Sequence, residues 1–237
     1  MKSKMTGTSA GRAALITASI LSPMRILSVN LAAPQPAATR EAEGGLTGIN
    51  KIPTTSRVPV TVPGPSKGGL AGDSIFLPAH GGPDQAVYAY ARGDYEWWQA
   101  ELGRDLRNGF FGENLTVEGL DVCEALIGER WRIGPDLVVQ ATSARIPCAT
   151  FQGQMGEPQW VKRFTEHGHP GTYLRVVEPG EVGEGDEITV VHRPDHDMTI
   201  AKMFRIWTTE QEHLPSLLEI SDVPERLRAR ALERLSR

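Results

Sequence analysis

Glu129-Arg130-Trp131-Arg132-Ile133-Gly134-Pro135-Asp136-Leu137-Val138-Val139-Gln140-Ala141 is the stretch whose reading decides the fold of this 237-residue chain. Two runs rich in branched and aromatic side chains flank Gly-Pro-Asp, the residues that break regular structure and favour turns. The segment therefore reads as strand, turn, strand. Working outward, the same logic predicts strands at residues 25–31, 57–62, 113–118, 173–177 and 187–191, besides 129–133 and 137–141. Short strands punctuated by Gly, Pro and Asp, with no regular alternation of amphipathic helices, imply a mainly β barrel or sandwich rather than β-α-β units.

Helices are expected at few places. Asp94 can cap 95–102 with Gly103 as the stop, and 159–167 reads as a helix opened by Pro158 and closed by Gly168. After Arg193 three helix starts follow closely. Asp197 precedes 198–207, Thr208 with Gln211 forms a capping-box pattern before 212–218, and Asp222 with Glu225 forms another before 226–236. The expected organisation is an extension at 1–23, a β-barrel domain at 24–193 and a helical appendage of three helices at 194–237. The last helix carries Arg226, Arg228, Arg230, Arg234 and Arg237, read as a solvated cationic face or, less simply, as a partner-binding patch.

Residues 1–23 have the outline of a secretory signal, with Lys2, Lys4 and Arg12 before a mildly apolar run. That run is short, is interrupted by Thr17 and Ser19, and leads straight into a strand-like segment at Met24. A disordered or non-native start, with the functional chain beginning near Met24, is the expectation. No apolar run approaches the roughly 20 residues needed to span a bilayer, so no membrane association is expected. The formal net charge of -4 supplies no basic field for nucleic acid. Only Cys123 and Cys148 occur, too few for a disulfide framework, and a cytoplasmic protein with free thiols follows.

Two motifs can carry chemistry. His80-Gly81-Gly82-Pro83-Asp84 is a glycine-rich turn whose backbone N–H groups, at Gly81 and Gly82, could cradle an oxyanion, with His80 able to donate to it or shuttle a proton. Read without context it is also simply a tight turn. Arg145-Ile146-Pro147-Cys148 looks like a strand end bending at proline and presenting a thiol beside a permanent cation. Cys148 could equally be a small buried hydrophobe, and Cys123 lacks any such setting and reads as structural. Asn114, beside Gly112, offers a donor and an acceptor, and Lys51 is a cation near a loop. Metal sites are not suggested by histidine spacing: His167 and His169 are too close for one helical face, and Pro194 separates His192 from His196. Neither a Gly-x-x-x-x-Gly-Lys phosphate loop nor a Gly-x-Ser-x-Gly elbow occurs, and Gly69-Leu70-Ala71-Gly72-Asp73 reads as a turn.

Taken in order, Thr47-Gly48-Ile49-Asn50-Lys51, Gly69 to Asp73, His80 to Tyr90, Phe111-Gly112-Glu113-Asn114-Leu115, Ile127 to Gly134 and Arg145 to Cys148 resemble the MOSC family, in its YiiM-like branch. The resemblance covers roughly residues 25–193, and the tail is similar to the three-helix extension of that branch. It implies a β-barrel that binds the molybdenum cofactor, with Cys148 as ligand to molybdenum. Lys51, His80, Gly81, Gly82, Asn114 and Arg145 would line the cofactor pocket, and His80 would join Cys148 in catalysis. The implied activity is a molybdenum-dependent oxotransferase that reduces N-hydroxylated small molecules, such as hydroxylated bases, and so detoxifies them. An external reductase would supply electrons, because the chain has no flavin or iron–sulfur signature. The alternatives are a sulfur carrier, with a persulfide on Cys148 loaded by a pyridoxal-phosphate desulfurase partner, or a non-catalytic cofactor binder. Pyridoxal phosphate is not expected on this chain itself. The chain departs from the branch at Ser74-Ile75-Phe76-Leu77-Pro78-Ala79, which bears on the substrate.

Overall fold

The computed structural model describes residues 23–32, 34–36, 45–65, 67–74 and 81–236. The expectations for 1–22 and for His80 therefore fall outside the described residues. In chain order the strands β1 (Arg25–Leu31), β2 (Gln35–Pro36), β3 (Leu46–Thr47), β4 (Ile52–Thr54), β5 (Val58–Val60) and β6 (Val87–Ala91) lead into helix α1 (Arg92–Leu102). Strands β7 (Leu115–Glu118), β8 (Arg130–Ile133) and β9 (Leu137–Ala144) follow, then helices α2 (Ala149–Met155) and α3 (Trp160–His167). Strands β10 (Thr172–Glu178), β11 (Gly180–Val182) and β12 (Ile188–His192) complete the sheets. Helices α4 (Ile200–Thr208), α5 (Leu214–Leu218) and α6 (Glu225–Leu235) end the chain.

The mainly β architecture expected from the sequence is present. One eight-stranded sheet runs β12-β8-β9-β10-β6-β7-β1-β4, antiparallel except for the parallel pair β6–β7. Its β12 end approaches β1, the strand next to the β4 end, without a continuous ladder. The start of β1 meets the residues just before β12 through an isolated bridge, Arg25 to Glu187, backed by Ile188 N–H to Met24 O at 2.8 Å and Ile26 N–H to Asp186 O at 2.9 Å. The sheet curls into an open barrel, joined at this point by only a few bonds.

β8 and β9 pair in register from Arg130–Gln140 to Ile133–Leu137, so Gly134-Pro135-Asp136 is the hairpin turn that the opening stretch predicted. Alternation along β6 divides two cores. Val87, Ala89 and Ala91 join the barrel interior, while Tyr88 and Tyr90 point the other way, as strand geometry requires. That second face is covered by an aromatic cluster of Tyr95 and Trp98 from α1, Phe111, Phe151 from α2, and Trp160 and Phe164 from α3. All eight residues of β9 are buried, because α4 packs on the strand from outside.

Several expected boundaries shift for local reasons. Residues 57–62 and 113–118 contribute only the shorter strands β5 and β7, and β2, β3, β4, β6, β11 and α2 lie outside the segments the sequence predicts. α1 begins at Arg92, not at an Asp94 cap, and Ala91 at its N-cap makes no side-chain bond. Gly103 and Gly168 do end α1 and α3 in the left-handed conformation, at φ 63° and 78°. In the tail, Thr199 rather than Asp197 caps α4, accepting from Lys202 N–H at 3.1 Å. Thr208 donates back to Phe204 O instead of capping the next turn. Asp222 does not cap α6; it accepts from Gln140 Nε2 on β9 at 3.0 Å and so ties the tail to the sheet. The arginines of α6 are not simply a solvated face. Arg228 donates to Leu218 O and Ile220 O, both at 2.6 Å, and Arg234 donates to Trp207 O at 3.0 Å. These guanidinium groups answer the carbonyls left open at the ends of α5 and α4.

Candidate functional site

A cleft of about 100 Å³ opens where the aromatic cluster meets the barrel mouth, and it gathers the predicted residues from four separate parts of the chain. Lys51 comes from the turn before β4, Gly81 from the glycine turn, Asn114 from the residue preceding β7, and Arg145 and Cys148 from the segment leaving β9. Gly82 lies behind the rim, and its N–H donates to Lys67 O at 2.8 Å, so it is engaged within the protein. His80 lies outside the described residues.

Arg145 follows β9 directly and is held between aromatic rings. Its guanidinium carbon stands 3.8 Å from the Phe151 ring centre and 5.7 Å from that of Tyr88. The residue is 7% exposed, and its Nη1 is buried with no hydrogen-bond partner. No carboxylate pairs with it among the described residues. A permanent cation removed from water costs several kcal/mol unless it is paired, by rough estimate, so a guanidinium with no carboxylate partner and a free Nη1 in a cleft is suited to an anion brought from outside. Tyr173, from β10, lines the same cleft. Burial pushes its phenol pKa up, against the lowering influence of Arg145, so the hydroxyl stays protonated near neutrality.

Ile146-Pro147 carries the chain from Arg145 to Cys148, which sits in extended conformation at the N-cap of α2, half-buried and on the cleft wall. The predicted strand end, proline bend and presented thiol are thus all present. Cys123 is fully buried in the barrel core, its Sγ accepts from Gly171 N–H at 3.3 Å, and burial pushes its thiol pKa well up.

The opposite wall is a buried polar network with Asp73 at its centre. Its carboxylate accepts from Lys51 Nζ at 2.5 and 2.6 Å, from Asn114 Nδ2 at 2.9 Å and from Ala32 N–H at 3.0 Å. Asn114 Oδ1 in turn accepts from Tyr88 N–H at 3.1 Å. Lys51 is therefore an internally neutralised cation, which leaves Arg145 as the cation without a carboxylate among the described residues of the cleft. Behind Asn114, the fully buried Glu113 accepts from Gly109 N–H at 2.5 Å and from the hydroxyls of Tyr95 and Thr116 at 2.7 Å each. Desolvation raises its pKa despite these donors. Gly109, at φ 80°, has to be glycine, since a Cβ there would stand 2.5 Å from Lys51 O. Arg107 holds the same loop through Lys51 O and Asn50 Oδ1.

Asp73, Gln85 and Tyr173 were missed as site residues. Asp73 ends a segment that reads as a bare turn, and only its contacts reveal the network. Gln85 lines the cleft with Oε1 buried and unpartnered, and the run His80 to Gln85 was its only signal. Tyr173 looked like an ordinary strand residue.

Comparison with known proteins agrees with this geometry. A family model described as MOSC domain matches residues 77–189, which span the glycine turn, Asn114, Arg145 and Cys148. The chain is 34% identical over 198 residues to the protein YflK of Bacillus subtilis (strain 168), covering 82% of this chain and 86% of that one. It is 28% identical over 159 residues to a protein named Reductase from Gibberella moniliformis (strain M3125 / FGSC 7600), covering 66% of this chain but 28% of that longer protein. The crystal structure of YiiM from Geobacillus stearothermophilus superposes with a TM-score of 0.73 at 26% identity, covering 90% of this chain and all of the other. With the family model spanning the glycine turn to Cys148, and the YflK relative and the YiiM fold extending the match over most of the chain, the chain belongs to the MOSC domain family.

Proposed function

We propose that this protein binds the molybdenum cofactor in the cleft between Arg145 and Lys51 and acts as an oxidoreductase on N-hydroxylated small molecules. The observation that carries the reading is the buried guanidinium of Arg145, whose Nη1 has no partner, facing a cleft that also presents the Cys148 thiol. The residues fit the group. A guanidinium fork suits a phosphate or other oxyanion, and a thiolate suits a soft metal. When bound, the cofactor would supply a metal centre that takes two electrons from a donor and gives them up as it takes the oxygen atom of the substrate.

The protein's own part is binding, orientation and proton delivery. Arg145 holds the anionic end, stiffened by the rings of Phe151 and Tyr88. Asn114, locked by Asp73 and by Tyr88 N–H, presents a fixed amide, and Lys51 is held to the same wall. Gly81 brings the backbone to the rim. His80, next to Gly81 in the chain, and the protonated phenol of Tyr173 are the candidate proton donors. Reduction of an N-hydroxyl compound to the parent base consumes two electrons and two protons and releases water. A separate reductase supplies the electrons; the relative named Reductase, most of whose length lies outside the match, supports a reductase working with a domain of this kind.

The test is metal and pterin analysis of protein made in a host that synthesises the cofactor, with a chemically reduced donor and an N-hydroxylated base as substrate. Stoichiometric molybdenum that is lost in Arg145→Gln and Cys148→Ser, together with base reduction, is the expected result. A labile sulfur on Cys148 without molybdenum would replace this reading with a persulfide carrier, and molybdenum without turnover would reduce it to a binder.

A further inference from the structure

Away from the cleft, the first turn of α1 meets the junction of α3 and β10. Asp94 lies in that turn, His167 is the last residue of α3, and His169 lies just past Gly168. The histidine spacing gives no helical register, but the turn at Gly168 brings both imidazoles onto one carboxylate. His169 Nδ1 is 2.9 Å from Asp94 Oδ1 and His167 Nε2 is 4.0 Å from the same oxygen. Potential ligand atoms of all three residues lie within 4.8 Å of one another.

We propose that Asp94, His167 and His169 form a binding site for a zinc-class divalent cation. Two imidazole nitrogens and one carboxylate are the donor set of a borderline metal rather than of calcium or magnesium, which take oxygen ligands. Ligands about 2.0–2.1 Å from a tetrahedral zinc stand roughly 3.3 Å apart, and the observed separations bracket that value. A second, independent observation points the same way. Asp94 Oδ2 and His167 Nε2 are buried and without a hydrogen-bond partner, while His169 Nδ1 is held 2.9 Å from Asp94 Oδ1, so two unanswered polar atoms stand beside a third donor already drawn to the same carboxylate. Native interiors rarely leave such atoms unpaired, and one cation shared by the three side chains answers both.

The ring of His167 is fixed by stacking on Trp97, 3.9 Å between centroids, which orients a ligand before any metal arrives. Asp121 and Cys123 lie beyond His169 and form with it another close group. Cys123 Sγ already accepts from Gly171 N–H, so it is not counted as a ligand. His169 is 38% exposed, which leaves a route of entry and a fourth position for water. The cation would pin α1 to the α3–β10 junction. α1 carries Tyr95, whose hydroxyl supports Glu113 directly behind Asn114, so the clamp would stiffen the wall behind the cleft without touching its contents.

The full chain, stripped with chelator, is titrated with Zn²⁺ against a chromophoric competitor and separately with Co²⁺ followed by visible absorption. One equivalent should bind, Co²⁺ should give the ligand-field spectrum of a four-coordinate nitrogen and oxygen site, and Asp94→Asn and His167→Gln should each weaken Zn²⁺ binding at least about tenfold. Cys148→Ser should bind Zn²⁺ as tightly as the unaltered protein, which separates this site from the cleft. The cobalt spectrum of the unaltered protein needs no variant, so a variant that fails to fold leaves the test intact. Absence of that spectrum, or unchanged affinity in both variants, would overturn the site.

Discussion

At the scale of single residues, the contrast between Cys148 and Cys123 gives a direct measurement. Cys148 lines an open cleft, whereas Cys123 is fully buried with its thiol pKa raised. Thiolate chemistry needs both access and ionisation. An alkylating reagent near neutral pH should therefore label Cys148 well before Cys123, followed by peptide mass spectrometry; faster labelling of Cys123 would contradict the placement. Arg145 offers a different signature. A buried cation without a carboxylate partner is a cost to the fold that a bound anion offsets, so Arg145→Gln should leave the cofactor-free melting temperature unchanged or higher while weakening cofactor retention. A loss of about 2 kcal/mol or more in the cofactor-free protein, measured by denaturant titration, would mean that the rings of Phe151 and Tyr88 hold Arg145 for stability instead. The thiol and the guanidinium were legible in the sequence because Arg-Ile-Pro-Cys keeps them within four positions. Asp73 was not, because its three partners come from residues 32, 51 and 114.

At the scale of elements, the join between tail and barrel runs through Asp222 and Gly128. Gly128 has φ 95°, and a Cβ there would stand 2.7 Å from the Asp222 carboxyl carbon. Gly128→Ala should combine backbone strain with displacement of Asp222 from Gln140, costing about 2–4 kcal/mol in chemical denaturation. Asp222→Ala, which loses the bond from Gln140 and the exposed one from Ser221 but adds no strain, should cost about 1 kcal/mol. Equal costs would show that the close approach is relieved by local movement. The caps at Gly103 and Gly168 could be read from sequence because a left-handed glycine ends a helix whatever surrounds it. The acidic caps were misread, since Asp94 and Asp222 met partners distant in the chain that local pattern cannot display.

At the scale of the whole molecule, one apolar core contains both barrel and tail. Met198, Ile200, Phe204, Ile206 and Trp207 belong to the same buried cluster as Val139 and Leu174. Burying one such side chain contributes about 1.5–3 kcal/mol, while a domain of this kind is stable by only about 5–15 kcal/mol. A chain ending at Arg193 should therefore lose cooperative thermal unfolding and aggregate, as read by circular dichroism and gel filtration; a monomeric, cooperatively melting truncation would show that the barrel stands alone. What the sequence by itself determined was the mainly β class, the β8–β9 hairpin, the helix stops and the family motifs, because alternation, turn chemistry and short runs are local properties of the chain. Tertiary structure alone decided the parallel β6–β7 pair and the seam between β1 and β12. It also decided the pairing of Lys51 with Asp73, the convergence of Asp94 with two histidines and the free Nη1 of Arg145. Each of those depends on which distant residues meet and which buried charges find no partner, and that is settled only when the sheet curls and its faces are covered.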